Sequence, residues 1–237
     1  VCASCGIAEG DEIKLEECDA CKLVLYCSDK CREGHREQHR VKCRKRAKKL
    51  RDKILFRQPD SSFLGECPIC CLPMPLDATK SSFLACCSKI ICKGCVVANV
   101  MMSNGGDNCP FCRGPVTSKE ENRKKMLKRV KANDPVAMRQ VGFKCYNEGD
   151  YDSALGYWTT AADLGDLGAH YDLGLLYRDG EGVEKDAEKA VYHLEKSAVG
   201  GHPLARYALA LWEEENGNME RAVKHYIIAA NLGYDDS

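Results

Sequence analysis

No run of eighteen apolar residues occurs anywhere in the chain, and its start shows no charged segment leading into an apolar one. Neither a membrane span nor a signal peptide is therefore expected. Cysteine is nearly missing from the second half: of 17 cysteines only Cys145 lies beyond Cys112. That asymmetry predicts three modules, 1–57, 60–117 and 118–237. Net charge is zero, yet residues 1–57 hold 15 Lys and Arg against 10 Asp and Glu, while 134–237 hold 9 against 19. The two ends are thus opposite in sign. The sequence opens on Val1 rather than Met and closes at Ser237 without a polar cap, so further residues are expected on either side.

The cysteines fall into Cys-x2-Cys turns, which bring two thiolates close enough to share one tetrahedral ion at roughly 2.3 Å each. An odd count, these short spacings and the pair His39/Cys43 favour zinc over disulfides, hence a reducing, intracellular setting, cytoplasmic or nuclear. The first module reads Cys2-x2-Cys5, Cys18-x2-Cys21, Cys27-x3-Cys31 and His39-x3-Cys43, eight ligands for two ions. About fifty residues cannot bury enough apolar surface to fold alone, so the metal must serve as core. Cys27/Cys31 and His39/Cys43 are i, i+4 pairs and predict two short helical turns. His35 competes with His39, but only His39 also pairs with Cys43.

This ligand order, with Tyr26 directly before Cys27, resembles the MYND zinc finger. The resemblance implies interleaved coordination, with Cys2, Cys5, Cys27 and Cys31 on one ion and Cys18, Cys21, His39 and Cys43 on the other. It also implies protein interaction, often with proline-rich peptides, through a Gln after the sixth ligand and a Trp four residues on. Here those positions are Arg32 and Arg36. The basic run Arg44 to Arg51 follows. A solvated helix linking two fingers is preferred to a nuclear-localisation or nucleic-acid element, because no aromatic residue interleaves the charges.

The second module reads Cys67-x2-Cys70, Cys86-Cys87, Cys92-x2-Cys95 and Cys109-x2-Cys112, again eight ligands. Adjacent Cys86 and Cys87 reach one ion only through a tight backbone turn, and Cys71 is read as a non-ligand. The spacing resembles an all-cysteine RING finger. That implies Cys67, Cys70, Cys92 and Cys95 on one zinc and Cys86, Cys87, Cys109 and Cys112 on the other, four ions in the whole chain. The resemblance further implies that Ile69 and Pro110 dock a ubiquitin-conjugating enzyme and that Arg113 restrains its ubiquitin. Val96 stands where the family often has a larger residue. Every zinc position is filled by protein, which excludes hydrolytic zinc chemistry.

In the third module, Ser118 and Glu121 form a capping box for a linker helix through Lys131. Ala137, Ala169 and Ala205 then correspond, as do Gly142, Gly174 and Ala210; Ala154, Ala190 and Ala222; and Ala162, Ala198 and Ala230. Offsets near 34 predict stacked helix pairs, with Gly180–Asp186 lengthening one loop by four residues. His193 and His225 share one repeat position with Tyr157 and are read as packing or surface residues. Trp158, Leu194 and Tyr226 share the next and are read as core. The phrases Leu173 to Tyr177, Gly180 to Val183 and Lys189 to Tyr192 resemble Sel-1-like repeats, an all-α solenoid whose concave face binds proteins. Arg139, His170 and Arg206 are candidates for that face.

The expected fold class is multi-domain, two small zinc-stabilised modules followed by an all-α solenoid. The expected function is a RING-type ubiquitin ligase whose other modules recruit substrate or adaptor peptides. The alternative is a non-catalytic scaffold. Neither nucleic acid nor membrane is expected as partner.

Overall fold

A computed structural model describes residues 1–10, 13–102, 108–115 and 117–234. The described chain divides into two compact units, Val1–Arg57 and the remainder from Gln58. In the first, β1 (Glu16–Glu17) pairs antiparallel with β2 (Leu25–Tyr26), with Glu16 opposite Tyr26. Helix α1 (Asp29–Gly34) follows, its N-terminus capped by Ser28, and then α2 (Arg36–Leu55). Two short helical turns were expected. Instead His39 and Cys43 share a 20-residue helix that also carries the whole basic run, and Cys27 precedes the cap at the end of β2. Only His39 and Leu55 of α2 are buried, so no apolar stripe holds it in place.

The second unit begins with a cysteine-rich module. Strands β3 (Ser81–Leu84) and β4 (Lys89–Cys92) form a hairpin with Ser82 opposite Ile91, and α3 (Lys93–Met102) continues from β4. Its core is small: Cys67, Met74 and Ile91 are buried, with Leu64, Leu84, Ile90 and Val96 packed on them. Helix α4 (Lys119–Lys131) starts at Ser118, whose hydroxyl accepts from the Glu121 N–H at 3.2 Å, the serine half of the expected capping box.

Six 13-residue helices complete the unit: α5 (Pro135–Asn147), α6 (Tyr151–Asp163), α7 (Leu167–Asp179), α8 (Ala187–Val199), α9 (Pro203–Glu215) and α10 (Met219–Asn231). The connection from α7 to α8 is four residues longer than those from α5 to α6 and α9 to α10, as expected from the shifted repeat offsets. A series of caps that the repeat pattern alone does not reveal fixes the helix starts. Asp134, Asp150, Asp166 and Asp186 each accept from the backbone N–H three residues on, at 3.1, 3.1, 2.7 and 2.9 Å. Each such cap is worth about 1 kcal/mol.

Small residues at repeated positions allow the helices of each pair to touch. Ala137, Ala169, Ala205, Ala154, Ala190 and Ala222 are all buried, whereas Ala230 is exposed. At Gly142 an added Cβ would stand 2.7 Å from the Trp158 ring, and at Gly174 2.7 Å from Leu194. The third repeat has Ala210 facing a position held by Tyr226, which is half-buried and donates its hydroxyl to Glu214.

The cysteine-rich module and the helical repeats are joined by specific bonds. Arg129 of α4 donates from Nε and Nη2 to the Cys86 carbonyl, at 3.3 and 2.8 Å, and its Nη1 meets Asp134, the α5 cap, at 3.2 Å. On the other side His202 lies stacked between Phe63 and Tyr171, with ring centroids at 4.0 and 4.5 Å, and the Phe63 N–H donates to the Gly201 carbonyl. Gly201 has φ of +90°, and a Cβ there would lie 2.6 Å from the Ser61 carbonyl oxygen.

Gly142→Ala is expected to lower stability by about 1–2 kcal/mol, the overpacking against Trp158 exceeding the gain in helix propensity. Ala210→Gly, at the equivalent buried site, is expected to cost about 1–2 kcal/mol through helix propensity and the loss of a buried methyl. Thermal unfolding of the two variants checks both.

Candidate metal centres and the surface around them

Four clusters of ligand atoms form, each with all its atoms within 4.8 Å of one another: Cys2/Cys5/Cys27/Cys31, Cys18/Cys21/His39/Cys43, Cys67/Cys70/Cys92/Cys95 and Cys86/Cys87/Cys109/Cys112. These are the sixteen residues the spacing singles out, in the interleaved grouping. A tetrahedron with metal–sulfur bonds of about 2.3 Å has edges of roughly 3.8 Å. The observed separations are 3.6 Å for Cys5–Cys27, 3.7 Å for Cys27–Cys31 and for Cys18–Cys43, and 3.8 Å for Cys67–Cys95 and for Cys70–Cys92. A disulfide would need about 2.05 Å. The donor sets therefore fit zinc, and with four protein ligands each they close around it.

Cys86 and Cys87 reach a common centre because they occupy the four-residue turn between β3 and β4, where Ser88 takes φ of +52° and the Cys87 N–H returns to the Leu84 carbonyl. Their sulfurs stand 4.0 Å apart, and they meet Cys109 at 4.0 Å and Cys112 at 3.4 Å respectively from Cys87 and Cys86. His39 Nε2 lies 3.1 Å from Cys21 Sγ. His35 stays outside the cluster, stacked on His39 and bonded through Nδ1 to the Tyr26 hydroxyl at 3.1 Å.

One backbone turn recurs in four of the five Cys-x2-Cys segments, the fifth, Cys92-x2-Cys95, running into α3 instead. The residue after the second cysteine is left-handed, with φ of +79° at Gly6, +51° at Lys22, +57° at Cys71 and +59° at Arg113. In each its N–H donates 2.9 Å to the carbonyl of the first cysteine. The turn also points N–H groups at the first sulfur. At Cys2 the Cys5 N–H is the main cause of a thiol held down to about 6. Burial pushes Cys18 and Cys67 upward, but at Cys18 the Cys21 N–H, the His39 side chain and the Ala20 N–H prevail, and at Cys67 the N–H groups of Cys70, Cys92 and Ile69, bringing both to about 6. Cys109 falls to about 7, where the Cys112 and Phe111 N–H groups outweigh burial. Other sulfurs move oppositely: Cys27 rises to about 12 beside Cys5 and Cys31, and burial lifts Cys43 and Cys95 to about 12. Each cluster thus holds one sulfur whose N–H donors favour the thiolate, the form that binds a metal cation.

Around the metal sites, Ile69 and Arg113 are exposed and Pro110 is half-buried. Arg32, at the position where a peptide-binding MYND finger has Gln, lies among acids: Glu16 at 3.0 Å, Asp29 at 3.1 Å and Asp19 at 3.7 Å. In the solenoid, Arg206 is fully buried and so cannot belong to an open face. Arg139 pairs with Asp172 at 2.7 Å and, with Tyr171, His202 and residues of the cysteine-rich module, lines a cavity of about 270 Å³. The side of the repeats expected to receive a partner is here partly covered by the chain's own cysteine-rich module. His225 is buried, and His193 packs against His170 and Tyr177, in keeping with packing roles.

Fold and site together define a zinc-finger protein with helical repeats, a class built for binding other proteins. More narrowly, residues 2–43 match the MYND finger family, and residues 135–166, 168–202 and 203–234 match the Sel1 repeat family. The chain carries a MYND finger and three Sel1 repeats, and the two further clusters are consistent with a RING-like module. Among curated proteins, "Putative beta-lactamase HcpC" of Helicobacter pylori strain J99 is 39% identical over 56 residues, 24% of this chain and 19% of that protein. Its counterpart in strain 26695 is 40% identical over 52 residues, 22% and 18% respectively. The chain spans under a fifth of the length of these relatives. A crystal structure of a Sel1 repeat protein from Oxalobacter formigenes superposes with a TM-score of 0.47 at 26% identity, over 59% of this chain and 57% of that one.

Metal analysis of the purified chain is expected to give four zinc ions. Cys71→Ala is expected to leave that number unchanged, because Cys71 occupies the left-handed turn position and lies outside the cluster, whereas Cys70→Ala is expected to lower it by one. Chelation should unfold residues 1–57, since structural zinc supplies about 10–16 kcal/mol; loss of helical ellipticity reports it.

Proposed function

We propose that this zinc-binding interaction scaffold acts as a RING-type ubiquitin ligase. The cysteine-rich module holds a ubiquitin-conjugating enzyme, and the MYND finger and Sel1 repeats recruit substrate or adaptor proteins. The observation that carries the reading is the division of labour within residues 67–113: eight sulfurs turn inward to two centres, while the three non-ligand residues the chemistry requires stay available. Ile69 and Arg113 are exposed and Pro110 is half-buried. Ile69 and Pro110 offer apolar contact to the conjugating enzyme. Arg113, a fork of donors on a metal-anchored turn, restrains the thioester-linked ubiquitin in an attack-ready pose. The zinc is scaffold, and the contribution is positioning.

A second reading, a scaffold without ligase activity, is favoured by Val96. This half-buried residue follows the sixth cysteine and packs on the Met74/Ile91 core, so it offers a docking surface less than a larger side chain would.

The test is ubiquitin transfer with activating enzyme and a panel of conjugating enzymes. Chain formation is expected, and Arg113→Ala should reduce it about ten- to a hundredfold. Arg113→Gly, which suits the φ of +59°, should lose as much activity with zinc content and melting temperature maintained. No transfer across a broad panel would leave the scaffold reading.

A further inference from the structure

Along α2, Lys42, Lys45, Arg46, Lys49 and Lys53 follow at intervals that place all five within about 100° of one helix face. Every one is exposed, and none makes an ion pair among the described residues. Glu37 and Asp52, the two acids of α2, fall outside this arc, and Glu37 instead pairs with Arg40 at 3.7 Å. A solvated helix ordinarily alternates opposite charges at i, i+4. Here Lys42/Arg46, Lys45/Lys49 and Lys49/Lys53 repeat the same sign at that spacing. The helix is nevertheless fixed in place, because His39 and Cys43 tie its first two turns to a metal cluster.

The remaining chemistry of the face narrows what would neutralise it. Gln38 is the other exposed residue in the arc, and Val41 and Ile54, the exposed apolar residues of α2, lie off it. A membrane surface calls for an apolar face beneath the charges, and single-stranded nucleic acid for aromatic rings to stack on. Protein interfaces are depleted in Lys and centre on apolar or aromatic anchors. None of these is present. The stripe extends about 17 Å, and its five cations present one sign of charge to a partner that carries the opposite sign at every residue, as a phosphate backbone does.

We propose that Lys42, Lys45, Arg46, Lys49 and Lys53 form a docking face for the phosphate backbone of duplex nucleic acid. It contacts backbone rather than bases, since Lys and Arg dominate it, and is therefore indifferent to sequence. The face belongs to the first unit and acts whether or not the second is a ligase.

The test is fluorescence anisotropy of a labelled mixed-sequence DNA duplex of about 20 base pairs with the zinc-loaded chain, between about 50 and 200 mM salt. The expected slope of log affinity against log salt is about −4.5, from five phosphate contacts. Lys42→Gln, Lys45→Gln and Lys49→Gln combined should reduce it by about 2.7, with helicity and zinc content unchanged. Arg40→Gln, Arg44→Gln and Lys48→Gln, off the stripe, should change it by less than about 1. Absence of binding at the lowest salt, equal loss in the two triple variants, or equally tight binding of poly-glutamate would overturn the assignment.

Discussion

The bond on which everything else depends is that between metal and thiolate. A domain of ordinary size retains about 5–15 kcal/mol of net stability, and one structural zinc supplies about 10–16 kcal/mol. In the first unit no apolar stripe competes with that term: α2 is a 20-residue helix with only His39 and Leu55 buried, and His39 is itself a candidate ligand. The orientation of α2, and with it the direction of its cationic stripe, is set by coordination. In the second unit the turn bearing Ile69 and the turn bearing Pro110 and Arg113 are each closed by sulfur from a distant part of the chain. Remove the ion and these residues remain, but the surface they form does not.

The repeats rest on a different principle. Helix pairs there meet through positions where side chains are small, and the Asp caps fix where α5 to α8 begin. The two regimes are joined at Arg129, which grips the Cys86 carbonyl on one side and the α5 cap Asp134 on the other. Cys86 lies in a turn whose shape depends on bringing two adjacent sulfurs to one centre. Metal coordination in the cysteine-rich module is thereby linked to the first helix of the solenoid. Under the ligase reading this joint fixes the distance between the enzyme-docking turns and whatever the repeats hold.

Much of this was legible in the sequence because cysteine spacing and repeat offsets are local, discrete signals. The sixteen candidate ligand positions and the four-residue insertion between Gly180 and Asp186 followed from counting, and the interleaved grouping from the family resemblances. What escaped was decided by context. An i, i+4 spacing could not distinguish a helix from a strand end at Cys27, because the cap at Ser28 intervenes. Arg206 reads as a surface cation until its neighbours are known to bury it. Two of the Asp caps carry a sequence signal, Asp-x-x-Ala at Asp134 and Asp166. Which face of α2 holds the acids emerges only once the helix is known to be continuous, since a broken helix would scramble the arc.

The left-handed turn offers a final discrimination. Its geometry favours glycine, and Gly6 conforms, whereas a residue with a Cβ there is strained by about 1 kcal/mol. Lys22 bears that strain with a partner nearby, Asp19 at 3.9 Å. Cys71 bears it with an exposed sulfur that joins no cluster. Arg113 bears it with an exposed guanidinium, and among the described residues nothing in the fold answers that charge. An exposed side chain on such a turn is available for an external contact. The same turn tethers Arg113 to its metal cluster, so the cation is held at a fixed place rather than left to wander. Under the ligase reading, the positioning role given to Arg113 draws on both properties, an exposed cation and a turn tied to the cysteine cluster.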